Sequence, residues 1–245
     1  MEKLEPWHSS ITEVHQDDLW THGVNQSEII REFSYEEMVF FLLKGKRPTP
    51  TQRNLLRAVI VSHISHGITG QSTMAVIQAA DCRSDFLHAA IGEFSVGAGI
   101  YHQGGLRAAM LELQNFAVMA PSVRATCITE RLGAREKIIG FGHRFHSRDP
   151  RARILLEIAE EEGFTGPYLI AAKEVKTILR DKKGIFMNIE AAGGAILLDL
   201  GFDPAIAHLI IITGRSPMYA AAYLERLAQE RVPFQKLAVA DVLEK

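Results

Sequence analysis

Histidines next to glycines are the residues of this chain whose type best suits catalysis. His66, His102 and His143 each stand within two residues of a glycine. Histidine exchanges protons near neutral pH, and glycine lets the backbone approach a ligand closely. A single histidine in a helical protein is more often a hydrogen-bonded core or surface residue. Three of them at glycine-rich helix boundaries favour a site for proton transfer.

Metal binding is a second chemistry that these histidines could support. His63 and His66 are three residues apart and would share one face of a helix, and imidazole is a common zinc ligand. No HExxH motif, CxxC motif or paired carboxylate completes the set, so we expect no metal. A metal-dependent hydrolase built on His63, His66 and His143 is kept as an alternative. The sequence also has no GxSxG elbow and no GKS or GKT phosphate loop.

Composition limits the classes of partner. The 245 residues include 27 Lys and Arg against 29 Asp and Glu, a formal net charge of -2. This balance leaves no basic excess to follow a phosphate backbone, so we expect no nucleic acid. The longest apolar run, residues 191–198, is far shorter than the ~20 residues that a bilayer requires, so we expect no membrane span. Cys82 and Cys127 are the only cysteines, which is typical of a cytoplasmic protein.

The elements that must position these histidines are predicted to be helices. Helix-start signals occur at four places. They are Ser34 with Glu37, Thr49-Pro50 with Gln52, Asp149-Pro150, and Asp203-Pro204. The period of residues 168–180, and of the Ala-rich residues 218–230, predicts two further helices. No stretch alternates with the period of a strand, so we expect no sheet.

Two adjacent glycines interrupt an otherwise apolar helical stretch. Gly193 and Gly194 each cost about 1 kcal/mol relative to alanine inside a helix. Close packing of a neighbouring helix and close approach of the backbone to a ligand are both open explanations.

Six motifs, taken in order, resemble the citrate synthase superfamily. They are SYEEMVFFLLKG at 34–45, HISHG at 63–67, GAGIYHQGG at 97–105, GFGHRFHSRDPRA at 140–152, NIE at 188–190 and GRSP at 214–217. The fourth resembles the family's GxGH…DPRA signature. The compact length and AILLDLGF at 195–202 are similar to the short citryl-CoA lyase branch.

The resemblance implies an all-α, citrate synthase-like subunit. It implies a large helical domain of residues 1–110 and 186–245, with an inserted smaller helical domain of residues 111–185 that closes over an acyl-CoA. A homodimer or higher homo-oligomer is implied as well. Coenzyme A enters as a thioester substrate, and no tightly bound cofactor is expected.

The resemblance also implies roles for individual residues in a Claisen-type reaction or its reverse. His143 would take the proton of a tertiary alcohol, His102 would hydrogen-bond the enolate oxygen, and Glu190, where the family has aspartate, would protonate the carbon. The residues implied to bind the 2-oxo acid part are His66, Arg151 and Arg215. Either arginine alone would more ordinarily form a salt bridge.

Several departures from the family pattern leave three hypotheses open. Glu190 is one methylene longer than aspartate, and His102 is followed by Gln-Gly-Gly instead of Gly-Gly-Ala. Arg107 replaces the acidic residue that commonly follows this turn in the family. Met218 and Ala222 replace the glycine and the histidine that the family pattern has after Arg215.

The first hypothesis is cleavage of (S)-citryl-CoA or a related 3-hydroxy-3-carboxyacyl-CoA to a 2-oxo acid and an acyl-CoA. The second is condensation of an acyl-CoA with another 2-oxo acid, and the third is a catalytically lapsed protein that binds CoA.

Overall fold

The computed structural model describes residues 8–99, 101–144 and 146–229, and these are mostly α-helical, as predicted. The helices in chain order are α1 (Gln26–Glu32), α2 (Tyr35–Lys44), α3 (Pro50–Ser62), α4 (Gln71–Asp81), α5 (Phe86–Gly97), α6 (Gly104–Ala117), α7 (Pro121–Gly133), α8 (Pro150–Glu161), α9 (Pro167–Lys183), α10 (Ile189–Asp199) and α11 (Ala207–Ala228). Contacts divide the chain into two units, the first ending at Ala58 and the second beginning at Val59. All the predicted site residues lie in the second unit.

The first unit contains a small antiparallel sheet, so the expectation of no sheet is wrong. Strands β1 (Thr12–Val14), β2 (Leu19–Thr21) and β3 (Val24–Asn25) pair in that order. Glu13 lies opposite Trp20, and Trp20 lies opposite Asn25. Strands of two or three residues are too short to show the alternation of apolar and polar residues by which a strand is recognised in a sequence. The β2–β3 turn uses His22 and Gly23 with φ of 47° and 74°, the backbone sign that tight hairpins require.

Two predicted capping boxes are present in the first unit. The hydroxyl of Ser34 accepts from the amide of Glu37, and the Glu37 carboxylate accepts from the amide of Ser34 at 2.8 Å. Thr49 and Gln52 form the same reciprocal pair at the start of α3. Helix α2 ends at Gly45 with φ of 68°, as predicted. The local pattern therefore determines where these helices begin and end.

Helix α10 forms the centre of the second unit and packs against α6, α8 and α9. Apart from Glu190 and Asp199 at its two ends, its residues are apolar, and they are buried, as expected of a helix surrounded by others. A Cβ on Gly194 would lie 3.1 Å from the Met110 side chain, and one on Gly193 would lie 3.5 Å from Val59. These contacts support close packing as the reason for the paired glycines.

Helix α11 differs from the prediction. Two helices were expected, one beginning at Asp203-Pro204 and the other covering residues 218–230. The structure has a 3-10 turn, Pro204–Ile206, followed by one helix that continues through Pro217 to Ala228. Buried residues on both sides of this proline, including Arg215 and Tyr219, outweigh its missing backbone hydrogen bond. Residue 230 lies outside the described part of the chain.

Helices α8 and α9 agree with the prediction. Asp149 caps α8 with Pro150 at its first position, and α9 contains the predicted residues 168–180. Of the helices in the described ranges, none combines the length and the apolar character needed to cross a membrane.

Candidate active site

The loop that carries His143 is fixed against the start of α10. The backbone amide of Asn188 donates to the carbonyl of Gly140 at 3.0 Å. The side-chain amide of Asn188 donates to the carbonyl of Gly142 at 2.9 Å. Both glycines have positive φ, and a Cβ on Gly140 would lie 2.6 Å from that of Ala191. Only glycine permits this close approach. The loop with His143 is thereby held beside the first turn of α10, which carries Glu190.

Glu190 lies against the bare backbone of α6. Its amide donates to the side chain of Asn188, the N-cap of α10, at 3.0 Å. A Cβ on Gly105 would lie 2.1 Å from Oε1 of Glu190, so the carboxylate occupies the space of a missing side chain. Burial raises the pKa of Glu190, and the nearby charge of Arg151 opposes this. The carboxyl group therefore retains its proton to higher pH than an exposed glutamate does.

His102 lies in the turn just before α6, three residues from Gly105. Its Nε2 is 2.8 Å from the hydroxyl of Ser72, and its ring centroid is 5.4 Å from that of His66. Burial lowers the pKa of His102 to about 4, with smaller contributions from His66, Arg215 and Arg144. The imidazole is therefore neutral near pH 7 and can donate a hydrogen bond without carrying a charge.

His66 packs its ring onto glycine as well. A Cβ on Gly70 would lie 2.0 Å from Cε1 of His66, and Nδ1 contacts the carbonyl of Gly67 at 3.1 Å. Burial lowers the pKa of His66, and the charges of Arg215 and Arg151 lower it further. Within the described ranges, its buried Nε2 has no hydrogen-bond partner. This nitrogen is available to a ligand.

Arg151 is held by the residue that caps its own helix. The carboxylate of Asp149 accepts from Nε and Nη2 of Arg151 at 3.0 and 2.9 Å, and from the amide of Ile189 at 3.0 Å. Burial raises the pKa of Asp149, but the hydrogen bonds and charge of Arg151 outweigh this and lower it overall. Nη2 of Arg151 also approaches Nε2 of His143 at 3.4 Å. The ion pair orients Arg151 toward the His143 loop.

His143 itself is half-buried and has a basic neighbourhood. Its Nδ1 accepts from the amide of His146 at 3.1 Å, and the two rings are 4.6 Å apart. Burial lowers the pKa of His143; Asp149 opposes this, while His146, Arg151 and Arg144 lower it further. The imidazole is therefore neutral near pH 7 and can accept a proton.

Arg215 is a buried cation in α11. Its Nε donates to the carbonyl of His63 at 3.0 Å, and only 5% of the residue is exposed. A Cβ on Gly214 would lie 2.2 Å from the carbonyl oxygen of Ile60, so glycine lets α11 approach the end of α3. Among the described residues, no carboxylate forms an ion pair with Arg215. Buried Glu93 acts on Arg215 only from beyond ion-pair distance, and a buried cation without a direct ion pair is costly, which fits a site for an anionic ligand.

His63 supports Arg215 and is not arranged as a metal ligand. It is 3% exposed, its Nδ1 contacts the carbonyl of Val59 at 2.8 Å, and burial lowers its pKa to about 4. In the described part of the chain, no group of three His, Cys, Asp or Glu side chains is arranged to hold a metal ion.

The interactions bring the six predicted residues into one region of the second unit. His66, His102, His143, Arg151, Glu190 and Arg215 are linked by the contacts and mutual charge effects described above. A separate cavity of about 440 Å³ is lined by residues of α7 and α9, including Thr126 and Ile178, and contains none of them.

Sequence reasoning missed several supporting residues. Asp149 was interpreted only as a helix start, although it also orients Arg151. Arg144 lies within the fourth motif, which assigns it no role, yet its charge affects the pKa of His102, His143 and Glu190. Ser72 carried no sequence signal, because only its position in space relates it to His102.

The chain matches one protein family and several known proteins. Residues 45–234 match the family described as citrate synthase, C-terminal domain. A citrate synthase of Deinococcus radiodurans is 29% identical over 200 residues, which are 78% of this chain and 52% of the relative. One of Heyndrickxia coagulans is 24% identical over 216 residues, 86% of this chain and 57% of the relative. The chain thus spans about half the length of these curated relatives.

Solved structures include a protein of similar extent. Citryl-CoA lyase from Hydrogenobacter thermophilus aligns with a TM-score of 0.86 and 26% identity, covering 98% of this chain and 94% of that chain. ATP citrate lyase from Methanothrix soehngenii, solved with citrate and coenzyme A, aligns with a TM-score of 0.80 and 18% identity, covering 100% of this chain and 44% of that chain. At 18% identity the similarity concerns the fold alone.

Proposed function

Since the chain belongs to the citrate synthase family, we propose that it cleaves (S)-citryl-CoA or a related 3-hydroxy-3-carboxyacyl-CoA by retro-Claisen chemistry. The products are oxaloacetate, or another 2-oxo acid, and acetyl-CoA or another acyl-CoA. The observation that carries the proposal is that the Glu190 carboxylate packs onto Gly105. Gly105 follows the neutral His102 by three residues. The alignment with a citryl-CoA lyase over nearly the full length of both chains supports this direction.

The carboxylates of the substrate bind to Arg215, Arg151 and His66. Arg215 is buried and forms no direct ion pair with the described residues, although the charge of Glu93 acts on it from beyond ion-pair distance, so a substrate carboxylate would supply a direct counter-charge. The fork of a guanidinium suits a carboxylate geometrically. The unpartnered Nε2 of His66 supplies a further hydrogen bond to the 2-oxo acid part.

His143 begins the cleavage as a general base. Its neutral imidazole takes the proton of the tertiary alcohol on Nδ1, the unprotonated ring nitrogen that the amide of His146 contacts in the free protein. The electron pair of that O–H bond forms the carbonyl of the departing 2-oxo acid. The carbon–carbon bond breaks, and its electrons move onto the thioester as an enolate. The lowered pKa of His143 supports this role because it keeps the base unprotonated.

His102 and Glu190 complete the reaction. The imidazole N–H of His102 donates to the enolate oxygen, an interaction typically worth a few kcal/mol in the transition state. Glu190, with its raised pKa, gives its proton to the enolate carbon and forms the acyl-CoA. Proton exchange with solvent then returns Glu190 and His143 to their starting states.

We also propose the domain arrangement that the family resemblance implies. Residues 111–185 form a smaller domain that closes over the acyl-CoA, while residues 1–110 and 186–245 form the larger domain. Coenzyme A takes part as a substrate thioester, without a tightly bound cofactor. The protein acts as a homodimer or higher homo-oligomer in the cytoplasm.

Release of oxaloacetate from citryl-CoA by the purified protein tests the proposal. His143→Ala should abolish it, while His146→Ala, which keeps the backbone amide that contacts His143, should retain most of it. If the protein and a panel of 3-hydroxy-3-carboxyacyl-CoA thioesters yield neither 2-oxo acid nor acyl-CoA, the proposal is wrong.

Condensation is the second candidate, and the substituted turn at Gln103 together with Met218 favours it. The same side chains would then act in reverse, with Glu190 removing a proton from the acyl-CoA. Release of free CoA thiol from acyl-CoA and a panel of 2-oxo acids measures this direction. The third candidate, a lapsed CoA-binding protein, predicts that Glu190→Asp creates activity where the wild type has none.

A further inference from the structure

A chain of buried hydrogen bonds leads away from His102. Nε2 of Gln103 lies 2.7 Å from Oε1 of Glu93 and 2.9 Å from the hydroxyl of Tyr219. The Tyr219 hydroxyl donates to that of Ser72 at 3.0 Å, and Ser72 lies 2.8 Å from Nε2 of His102. Glu93, Gln103, Tyr219 and Ser72 are each at most 4% exposed, so water does not compete for these bonds.

This chain of hydrogen bonds is possible because Gly97 has no side chain, which leaves room for the side chain of Gln103. A Cβ on Gly97 would lie 2.6 Å from Nε2 of Gln103. Gln103 therefore extends across the end of α5 to Glu93 and across to Tyr219 in α11. This explains the glutamine in the turn as a buried polar residue with specific partners.

The donors and acceptors give the chain one direction. An amide nitrogen carries two hydrogens and accepts none, so Gln103 donates to both Glu93 and Tyr219. The Tyr219 hydroxyl, which accepts from Gln103, donates its own hydrogen to Ser72 at 3.0 Å. The hydrogen of Ser72 is then left for Nε2 of His102, its other hydrogen-bond contact among the described residues.

We propose that Glu93, Gln103 and Tyr219 are positioning residues that act through Ser72 to hold His102 in the tautomer with its proton on Nδ1. Nε2 accepts from Ser72 and cannot carry the proton of the neutral ring. Nδ1–H is then the donor available to an enolate oxygen. This catalytic consequence rests on the proposed function, whereas the tautomer is a property of the free protein.

The tautomer is measured directly by ¹⁵N NMR of histidine side chains in the full chain without substrate. The His102 signals are assigned by their loss in His102→Asn. The wild type should show a protonated Nδ1 and a bare Nε2. Tyr219→Phe and Gln103→Met remove the directing bonds, so the tautomer with the proton on Nε2 should become populated.

A matched control separates the effect of the hydrogen-bond direction on His102 from a general loss of protein stability. Tyr223, one turn further along α11, donates its hydroxyl to the carbonyl of Ser84 and does not belong to the chain. Tyr223→Phe loses a comparable hydrogen bond and should keep the wild-type tautomer. Glu93→Gln, which retains an accepting oxygen, should also keep it.

Kinetics supply a second readout. In Gln103→Met, kcat for acyl-CoA cleavage should fall about tenfold, the effect of one misdirected hydrogen bond, while KM changes by less than about twofold. A wild type with no cleavage activity would contradict the proposed function and leave the tautomer measurement to decide this inference. A proton on Nε2 in the wild type, or a tautomer that Tyr219→Phe and Gln103→Met leave unchanged, would overturn it.

Discussion

The carboxylate of Glu190 occupies the space that a side chain at Gly105 would fill. A Cβ at position 105 would lie 2.1 Å from Oε1 and 2.6 Å from Cδ of Glu190. The family turn that this chain resembles has alanine at position 105, and the family has aspartate at position 190. We propose that the missing methyl group in α6 makes room for the extra methylene in α10, so that these two departures from the family pattern compensate each other.

A double-mutant cycle tests this compensation. Gly105→Ala should displace the carboxylate and Glu190→Asp should withdraw it, and a displacement of ~1 Å can lower kcat by about a hundredfold in each case. The double variant should recover at least about tenfold over either single variant, because the two changes fit each other. Gly133→Ala, at an open position of α7, is the matched control and should retain activity. Strictly additive losses in kcat would contradict the compensation.

The charge of Arg144 should influence the pH profile of cleavage. Burial is the main cause of the lowered pKa of His143 and of the raised pKa of Glu190, and Arg144 lowers the pKa of both groups. The acidic limb of kcat/KM reports protonation of His143, and the alkaline limb reports deprotonation of Glu190.

Arg144→Gln should therefore move both limbs to higher pH, since a lost cation raises the pKa of each neighbouring group. Arg153→Gln removes an arginine whose partner is Glu157 on the same exposed helix face, and it should leave the profile in place. Limbs that move in opposite directions, or not at all, would contradict the assignment of these two groups.

Arg215 should contribute to binding of the 2-oxo acid part and not of the CoA part. Arg215→Lys keeps the charge but loses the planar fork, so KM for citryl-CoA should rise by about tenfold to a hundredfold. Calorimetric titration with free CoA should give a Kd within about twofold of the wild-type value. A weakened Kd for CoA with an unchanged KM for citryl-CoA would reverse the assignment.

Asp149 should contribute to stability as well as to the orientation of Arg151. Asp149→Asn loses a buried ion pair, and the resulting unpaired arginine should lower the free energy of unfolding in urea by about 3 kcal/mol. The folded-state pKa of Asp149 lies below its ordinary value. Its contribution is therefore complete above the unfolded-state pKa and is lost as pH falls through the folded-state pKa. A variant whose stability equals that of the wild type at neutral pH would contradict this.

Local signals in the sequence predict the helix starts, the resemblance to a family predicts the six site residues, and nonlocal packing determines the rest. The capping pair of Ser34 and Glu37 and the cap at Asp149 act within four residues, so they can be read directly. The continuation of α11 through Pro217 depends on burial against other helices. The link from Glu93 to Tyr219 joins residues that are far apart in sequence, and no periodicity could indicate it. The roles of the six site residues remain predictions for the experiments above.

Cleavage of citryl-CoA in deuterium oxide tests the central claim most directly. Oxaloacetate and acetyl-CoA should form in equal amounts, and mass spectrometry should find one deuterium in the acetyl group, delivered through Glu190. His143→Ala should form neither product. Products without deuterium, or oxaloacetate released at the wild-type rate by His143→Ala, would contradict a retro-Claisen reaction that uses these two side chains.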